Sequence, residues 1–385
     1  MLKIKNYMET YSEAELQQVV DVIVENKTSI IRGGLLEEFE NQCANFLGNK
    51  YALATCNGTS AIYLALYGAG VSNGDEVILP VFAFHAMAVA ICHLGATPVF
   101  CDIDKETLTI DVQKIESLIT KKTKAVLVLQ PWGNIANIDK LIELKKKYPE
   151  ISFISDSSHA HGALWKDKPL GMFFDAVAMS FGKGKLISGG ELGVLTTDNK
   201  LIQEKAMQFA HVNRVPKDLT IESLKRIHNA VGLKMRPHGV ALRLGLININ
   251  KFQKYFPVLK QNILSFEESL SSITGYAPVK HYQDAQRSFW KFPIFVEETI
   301  NAEELLNYLK EKGIPAEKNN YARLLCENTI FTEYYHVSCP KAEDFPCAFS
   351  VKNRIIQLPE YLFYEEENVN LIADMLRNFT LKEGK

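Results

Sequence analysis

The sequence predicts an α/β protein: a mainly parallel central sheet with helices on both faces, plus a smaller C-terminal α+β domain. Three observations lead there. Short apolar runs alternate with helical stretches from residue 51 to about residue 197, and from about residue 251 the texture changes to long helices separated by single strands. A chain of 385 residues also exceeds the length at which one core stops growing. We therefore expect a large domain over residues 1–250, including an N-terminal helical segment, and a small one over residues 251–385.

Each element has its own signature. Residues 12–47 read as helical, with Leu16, Val19, Val20, Ile23 and Val24 on one face and a break at Gly33-Gly34. The run Tyr51 to Cys56 is an apolar strand that enters Asn57-Gly58-Thr59-Ser60, and Ala61 to Leu66 has helical composition. Strands follow at Val77-Ile78-Leu79, at residues 98–104 and at Ala125 to Leu129, with helices from residue 85 to 96, 112 to 118 and 138 to 148. The strand Ser152-Phe153-Ile154-Ser155 precedes Asp156, and Ala176-Val177-Ala178-Met179 and Val194-Leu195-Thr196-Thr197 flank a glycine-rich connection. A helix over residues 201–213 leads to a polar, irregular stretch up to about Asn229. The run from Ala230 begins as a loop and turns helical by Leu246. Beyond it come a helix from about Lys251 to Leu270, a strand near residues 289–296, a helix over 302–312, a second strand after Gly313-Ile314-Pro315, and a closing segment over residues 354–359 with a terminal helix to Phe379.

Composition removes several classes of function. With 43 basic and 45 acidic residues the net charge is -2, which leaves no electrostatic footprint for nucleic acid or an anionic membrane. No apolar stretch is long enough to span a bilayer, and the N-terminus lacks a signal-peptide core, so a cytoplasmic protein is expected. Seven cysteines without a C-x-x-C pair argue against a disulfide framework or a zinc knuckle. No metal site is expected.

Ligands of parallel sheets bind at the carboxyl ends of the strands. Asn57 to Ser60, Phe84, Gln130, Asp156 to His159 and Ser180 to Lys185 all follow predicted strands, so they should converge. The stretch Ser180-Phe181-Gly182-Lys183-Gly184-Lys185 puts lysines on a tight turn between buried strands, where low dielectric favours the neutral, nucleophilic amine. Solvated loop cations are the alternative for both lysines. Asn57-Gly58-Thr59-Ser60 joins a strand to a helix start and can bind a phosphate through free N–H groups, unless Thr59 or Ser60 is only an N-cap. Asp156, at a strand end, can pair with a protonated pyridine nitrogen or cap a helix, and His159 can be a ligand or a structural histidine.

Taken in order, these segments resemble the DegT/DnrJ/StrS sugar aminotransferases, pyridoxal-phosphate enzymes of fold type I. The resemblance rests on Phe39-Glu40, Asn57-Gly58-Thr59-Ser60-Ala61, Gly74-Asp75-Glu76-Val77-Ile78, Phe100-Cys101-Asp102-Ile103-Asp104, Thr123-Lys124-Ala125-Val126, Asp156-Ser157-Ser158-His159-Ala160-His161-Gly162, and Ser180-Phe181 with Lys185 and Gly190-Glu191. It implies the cofactor pyridoxal 5′-phosphate. Lys185 would be joined to it as a Schiff base and shuttle the proton, Asp156 would hold the ring nitrogen, Phe84 would stack on the ring, and His159 would lie near the ring oxygen or Lys185. Thr59, Ser60 and Ser180 would bind the phosphate, with Gly58 in the turn, while Lys183 sits at the wrong spacing and keeps its solvated reading.

The resemblance further implies an aminotransferase that moves an amino group from glutamate or glutamine to a nucleotide-linked keto-sugar or a keto-cyclitol, as a homodimer with shared active sites. Three departures are visible. Gly232-Leu233-Lys234-Met235-Arg236 has lysine where the family carries asparagine reaching from the other subunit, and Lys234 can still neutralise a phosphate as a point charge. Gln130-Pro131-Trp132-Gly133 and Glu191-Leu192-Gly193 also differ, which places Gln130, Trp132 and Glu191 as candidate acceptor contacts. A sugar dehydratase of the same fold would carry histidine in place of Lys185, and a non-catalytic cofactor-binding regulator would call for a fused module or basic patch that the sequence lacks.

Overall fold

The apolar runs of the first two hundred residues become one seven-stranded sheet in the computed structural model, which describes residues 2–3, 6–214, 219 and 231–383. Most of the irregular stretch read up to Asn229 lies outside the described residues. Two helices come first, α1 (Glu13–Val24) and α2 (Gly34–Leu47). Gly33 and Gly34 between them adopt φ of 64° and 53°, a region open to glycine without penalty, and this makes the expected break. Helix α2 buries Leu36, Phe39, Cys43 and Leu47. The same helix buries Glu40, whose carboxylate accepts the Ala54 N–H at 2.9 Å and the Arg214 guanidinium at 2.7 Å.

The sheet contains β1 (Tyr51–Thr55), β2 (Glu76–Pro80), β3 (Thr97–Cys101), β4 (Thr123–Leu129) and β5 (Ser152–Asp156). After a short ribbon, β6 (Leu164–Trp165) and β7 (Lys168–Pro169), it is completed by β8 (Ala176–Ser180) and β9 (Gly193–Thr197). Its order is β1-β9-β8-β5-β4-β2-β3. Strands β2, β3, β4, β5 and β8 pair in parallel, and β9 alone runs against its neighbours β1 and β8. The expected mainly parallel sheet is thus observed. Residues Ala125 to Leu129 are all buried because helices cover both faces, which is why the strand reads as an unbroken apolar run.

The covering helices are α3 (Gly58–Gly68), α4 (His85–His93), α5 (Val112–Leu118), α6 (Ile138–Lys147) and α7 (Lys200–Ala210). Next, the two helical stretches read around residues 239–246 and 251–270 prove to be one helix, α8 (Gly239–Ser271), with Pro257 inside it. It runs through residue 250, where the domain division was drawn. A second, antiparallel sheet of order β10-β12-β14-β13 follows, from β10 (Tyr276–Pro278), β12 (Phe292–Val296), β13 (Glu317–Lys318) and β14 (Ile355–Leu358). The two-residue β11 (Ala285–Gln286) instead pairs with β6. Helices α9 (Ala302–Glu311), α10 (Pro346–Val351) and α11 (Glu366–Glu383) complete the described chain. Among the described residues no helix is long and apolar enough to cross a membrane.

Candidate active site

Strands β1, β2, β5 and β8 point their carboxyl ends to one side of the sheet, and the segments that follow them surround a cavity of about 390 Å³. The first wall is the start of α3. Asn57 caps it: its Oδ1 accepts the Ser60 N–H at 2.8 Å, so neither Thr59 nor Ser60 is the cap. The N–H groups of Gly58 and Thr59 precede the first intrahelical donor, the Ala61 N–H that bonds the Asn57 carbonyl, and, with the positive end of the helix dipole, form an anion site. Gly58 is required by proximity, since a Cβ there would lie 2.6 Å from Ser180 Cβ. Ser180, on the facing wall, accepts the Gly182 N–H through Oγ at 3.1 Å. Thr59 and Ser180 line the cavity with Gly58. Ser60, expected on the phosphate, instead lies 3.3 Å from Cys56 Sγ through its hydroxyl and does not line the cavity.

Asp156 ends β5 with only 4% of its surface exposed. Its Oδ1 accepts the Ser158 N–H at 3.0 Å, but a turn rather than a helix follows, so it caps no helix. Burial pushes the carboxyl above its usual range, against the downward pull of the Ser158 hydrogen bonds and the Lys185 charge. Such a group gains most from a cationic partner brought against it.

The turn after β8 is closed by Lys183 N–H to the Gly190 carbonyl at 2.8 Å, Lys185 N–H to that of Gly182 at 3.1 Å and Gly189 N–H to that of Phe181 at 2.7 Å. Lys185 keeps part of its surface in the cavity while protein atoms crowd it on most sides. This burial pulls the amine down to about 8; Asp156 works against the shift and Lys291 adds to it. Its Nζ stands 4.4 Å from the centroid of the Trp290 ring. Lys183 is exposed at the rim.

His159 is buried against the same indole, the two rings stacked at 3.6 Å and 21°. Its Nδ1 faces the Trp132 N–H at 3.4 Å and the Tyr321 hydroxyl at 3.1 Å. Burial first, then the charges of Lys185, His161 and Lys291, hold it well below the ordinary histidine range. Phe84, half exposed, and Glu191 also line the cavity.

Two expected acceptor contacts are corrected. Gln130 is completely buried, its amide donating to Ser155 Oγ at 3.2 Å and accepting the Ala136 N–H at 2.9 Å. The turn thus uses both ends of this side chain, and neither is left for a ligand. Trp132 is also buried, and its Nε1 donates to Gln357 Oε1 at 2.9 Å. Lys234 is exposed and outside the cavity of its own chain.

Sequence reading missed Trp290, Asn320 and Tyr321, which line the cavity from the region of the second sheet. No local pattern marks them, because long-range topology alone brings them here. The Asn57 cap was readable, as asparagine precedes a helix at the preferred position. A buried acid, a depressed amine and a helix N-terminus with two hydroxyls are the groups that could hold a ring nitrogen, an aldehyde and a phosphate.

The family model for the DegT/DnrJ/EryC1/StrS aminotransferases matches residues 10–377. The chain is 28% identical to GDP-perosamine synthase of Escherichia coli O157:H7, over 90% of this chain and 91% of that protein. It is 27% identical to the spore coat polysaccharide biosynthesis protein SpsC of Bacillus subtilis, over 98% of each. Among solved structures, a 3-amino-5-hydroxybenzoic acid synthase superposes with a TM-score of 0.89 at 23% identity, covering 99% of both chains.

Proposed function

The chain belongs to the DegT/DnrJ/EryC1/StrS aminotransferase family, and from that premise we propose that it uses pyridoxal 5′-phosphate to aminate a keto-sugar or keto-cyclitol in amino-sugar biosynthesis. The amino donor in this reading is glutamate or glutamine, and the acceptor carries a nucleotide, as the GDP in the name of the Escherichia coli relative suggests. The observation that carries the proposal is the convergence of Lys185, Asp156 and the α3 N-terminus on one cavity.

When bound, pyridoxal phosphate supplies an aldehyde that an amine can join and a ring that takes up electron density. The residues of this chain would do the rest. Gly58 and Thr59 amides, with the Thr59 and Ser180 hydroxyls, would hold the phosphate. Asp156 would pair with the ring nitrogen and so keep its own buried charge compensated. Lys185 Nζ, neutral above a pH of about 8, would take the proton from the donor's Cα. The Trp290 indole and the packed His159 ring would limit water on their side of the cavity. Lys234, exposed on its own chain, would reach the phosphate of a second copy in a homodimer with shared sites.

Reconstitution tests this reading. The protein with pyridoxal phosphate should gain a visible absorption band that glutamate or glutamine bleaches, and borohydride should abolish that band while fixing the cofactor covalently to Lys185. Borohydride fixation of the cofactor to Lys185→Ala at the wild-type level would remove the lysine assignment, and a wild-type band that no amino donor bleaches would remove transamination.

A further inference from the structure

We propose that Tyr321 is a positioning residue that fixes the tautomer of His159, leaving Nε2–H as a permanent hydrogen-bond donor toward the cavity. A backbone amide can only donate, so the Trp132 N–H favours a lone pair on Nδ1, but at 3.4 Å the contact is too long to set the tautomer by itself. The Tyr321 hydroxyl at 3.1 Å from that same nitrogen then also donates, and the single proton of the neutral ring is left on Nε2. Both donors are held in place. Trp132 adopts φ of 50°, a left-handed conformation uncommon for so bulky a residue, and its indole is tied to Gln357. Tyr321 is 1% exposed, its ring packed at 5.2 Å from Phe82 and 5.1 Å from Trp132. Its backbone N–H is accepted by Asn319 Oδ1 at 2.8 Å, and Asn319 in turn donates to the carbonyl of Lys352.

The charged neighbours work the same way. Lys185, Lys291 and His161 all oppose a second proton on the ring, so the neutral form with one donor persists through the physiological range. The Trp290 indole covers one face of the ring, which leaves the edge as the polar contact. On the reading of this site as a pyridoxal-phosphate pocket, that edge would donate to an oxygen on the ring side of the cofactor. Through the ring it holds, Tyr321 thereby links the region of the second sheet to the cavity.

Long-range proton-nitrogen NMR on the cofactor-free protein labelled with 15N-histidine reads the tautomer directly, with His159→Gln assigning the signal. His159 should show an unprotonated Nδ1 and a protonated Nε2, unchanged between pH 5.5 and 8. A protonated Nδ1, or titration in that window, would overturn the proposal whatever the chain's activity, because no cofactor takes part. In Tyr321→Phe the two nitrogen shifts should move toward a tautomer average. The same variant, loaded with pyridoxal phosphate, should show a shifted pH midpoint of the visible band and an affinity about tenfold weaker, the scale of one buried hydrogen bond. A variant with wild-type shifts and midpoint would also overturn it; should Tyr321→Phe not fold, the wild-type spectrum alone decides.

Discussion

Lys185 is the residue on which pH acts most directly. With its amine drawn down to about 8, roughly one molecule in ten is neutral at pH 7, against fewer than about one in a thousand for free lysine. The rate at which the cofactor-free protein captures pyridoxal phosphate should therefore rise with pH and level off above about 8, measured by stopped-flow absorbance. Asp156 carries the opposite shift. A carboxyl raised by burial lends stability only below the ordinary aspartate range, and that contribution is lost as pH rises through its folded value. Above that value the ionised carboxylate carries the desolvation cost of its burial. Asp156→Asn keeps the acceptor for the Ser158 N–H, so the cofactor-free variant should melt at the same temperature or higher while its affinity for pyridoxal phosphate falls about tenfold or more. At this scale the sequence was informative at strand ends, where Asp156 and Ser180 close β5 and β8 and Lys185 stands on the turn beyond. It failed at Gln130 and Trp132, where the position was right but the side chain turned into the protein, and at Trp290 and Tyr321, which no neighbouring residue announces.

Elements were legible where their pattern is local. Helix α5 has the bounds read from the sequence, and strands β4, β5 and β9 differ by a residue or two. The direction of β9 was not legible, because a reversed strand has the same composition as a parallel one. The ribbon β6-β7 and its partner β11 are two residues long each, too short for any period to register. The junction of α3 with β8 gives a test at this scale. Gly58→Ala would place a methyl 2.6 Å from Ser180 Cβ and should destabilise the chain by about 1–3 kcal/mol. Denaturant melts with and without cofactor should separate the effects, because displacement of the α3 N-terminus weakens phosphate binding beyond the loss in stability.

For the whole molecule the open matter is how many copies make one site. Helix α1 leaves Leu16, Val20, Ile23 and Val24 exposed at 45–76%, an apolar stripe on a single chain that suits burial against a second. If Lys234 serves the neighbouring copy, Lys185→Ala and Lys234→Ala proteins should each be inactive or impaired alone and regain activity when unfolded and refolded together, since a mixed dimer carries one intact site. Absence of recovery, with mixed dimers verified by mass spectrometry, would return Lys234 to the solvated surface. The 33 residues of α8 span roughly 50 Å at 1.5 Å per residue, and both ends are fastened. Near its start, Asn248 donates to the Ser188 carbonyl of the lysine turn at 2.6 Å. Further along, Asn262 holds the Phe363 carbonyl at 2.8 Å, and Glu267 grips Arg287. A girder shared in this way leaves neither half a complete structure of its own: calorimetry should record one cooperative heat-absorption peak, and a fragment cut at residue 250 should expose the Ile263 and Phe266 seam and aggregate.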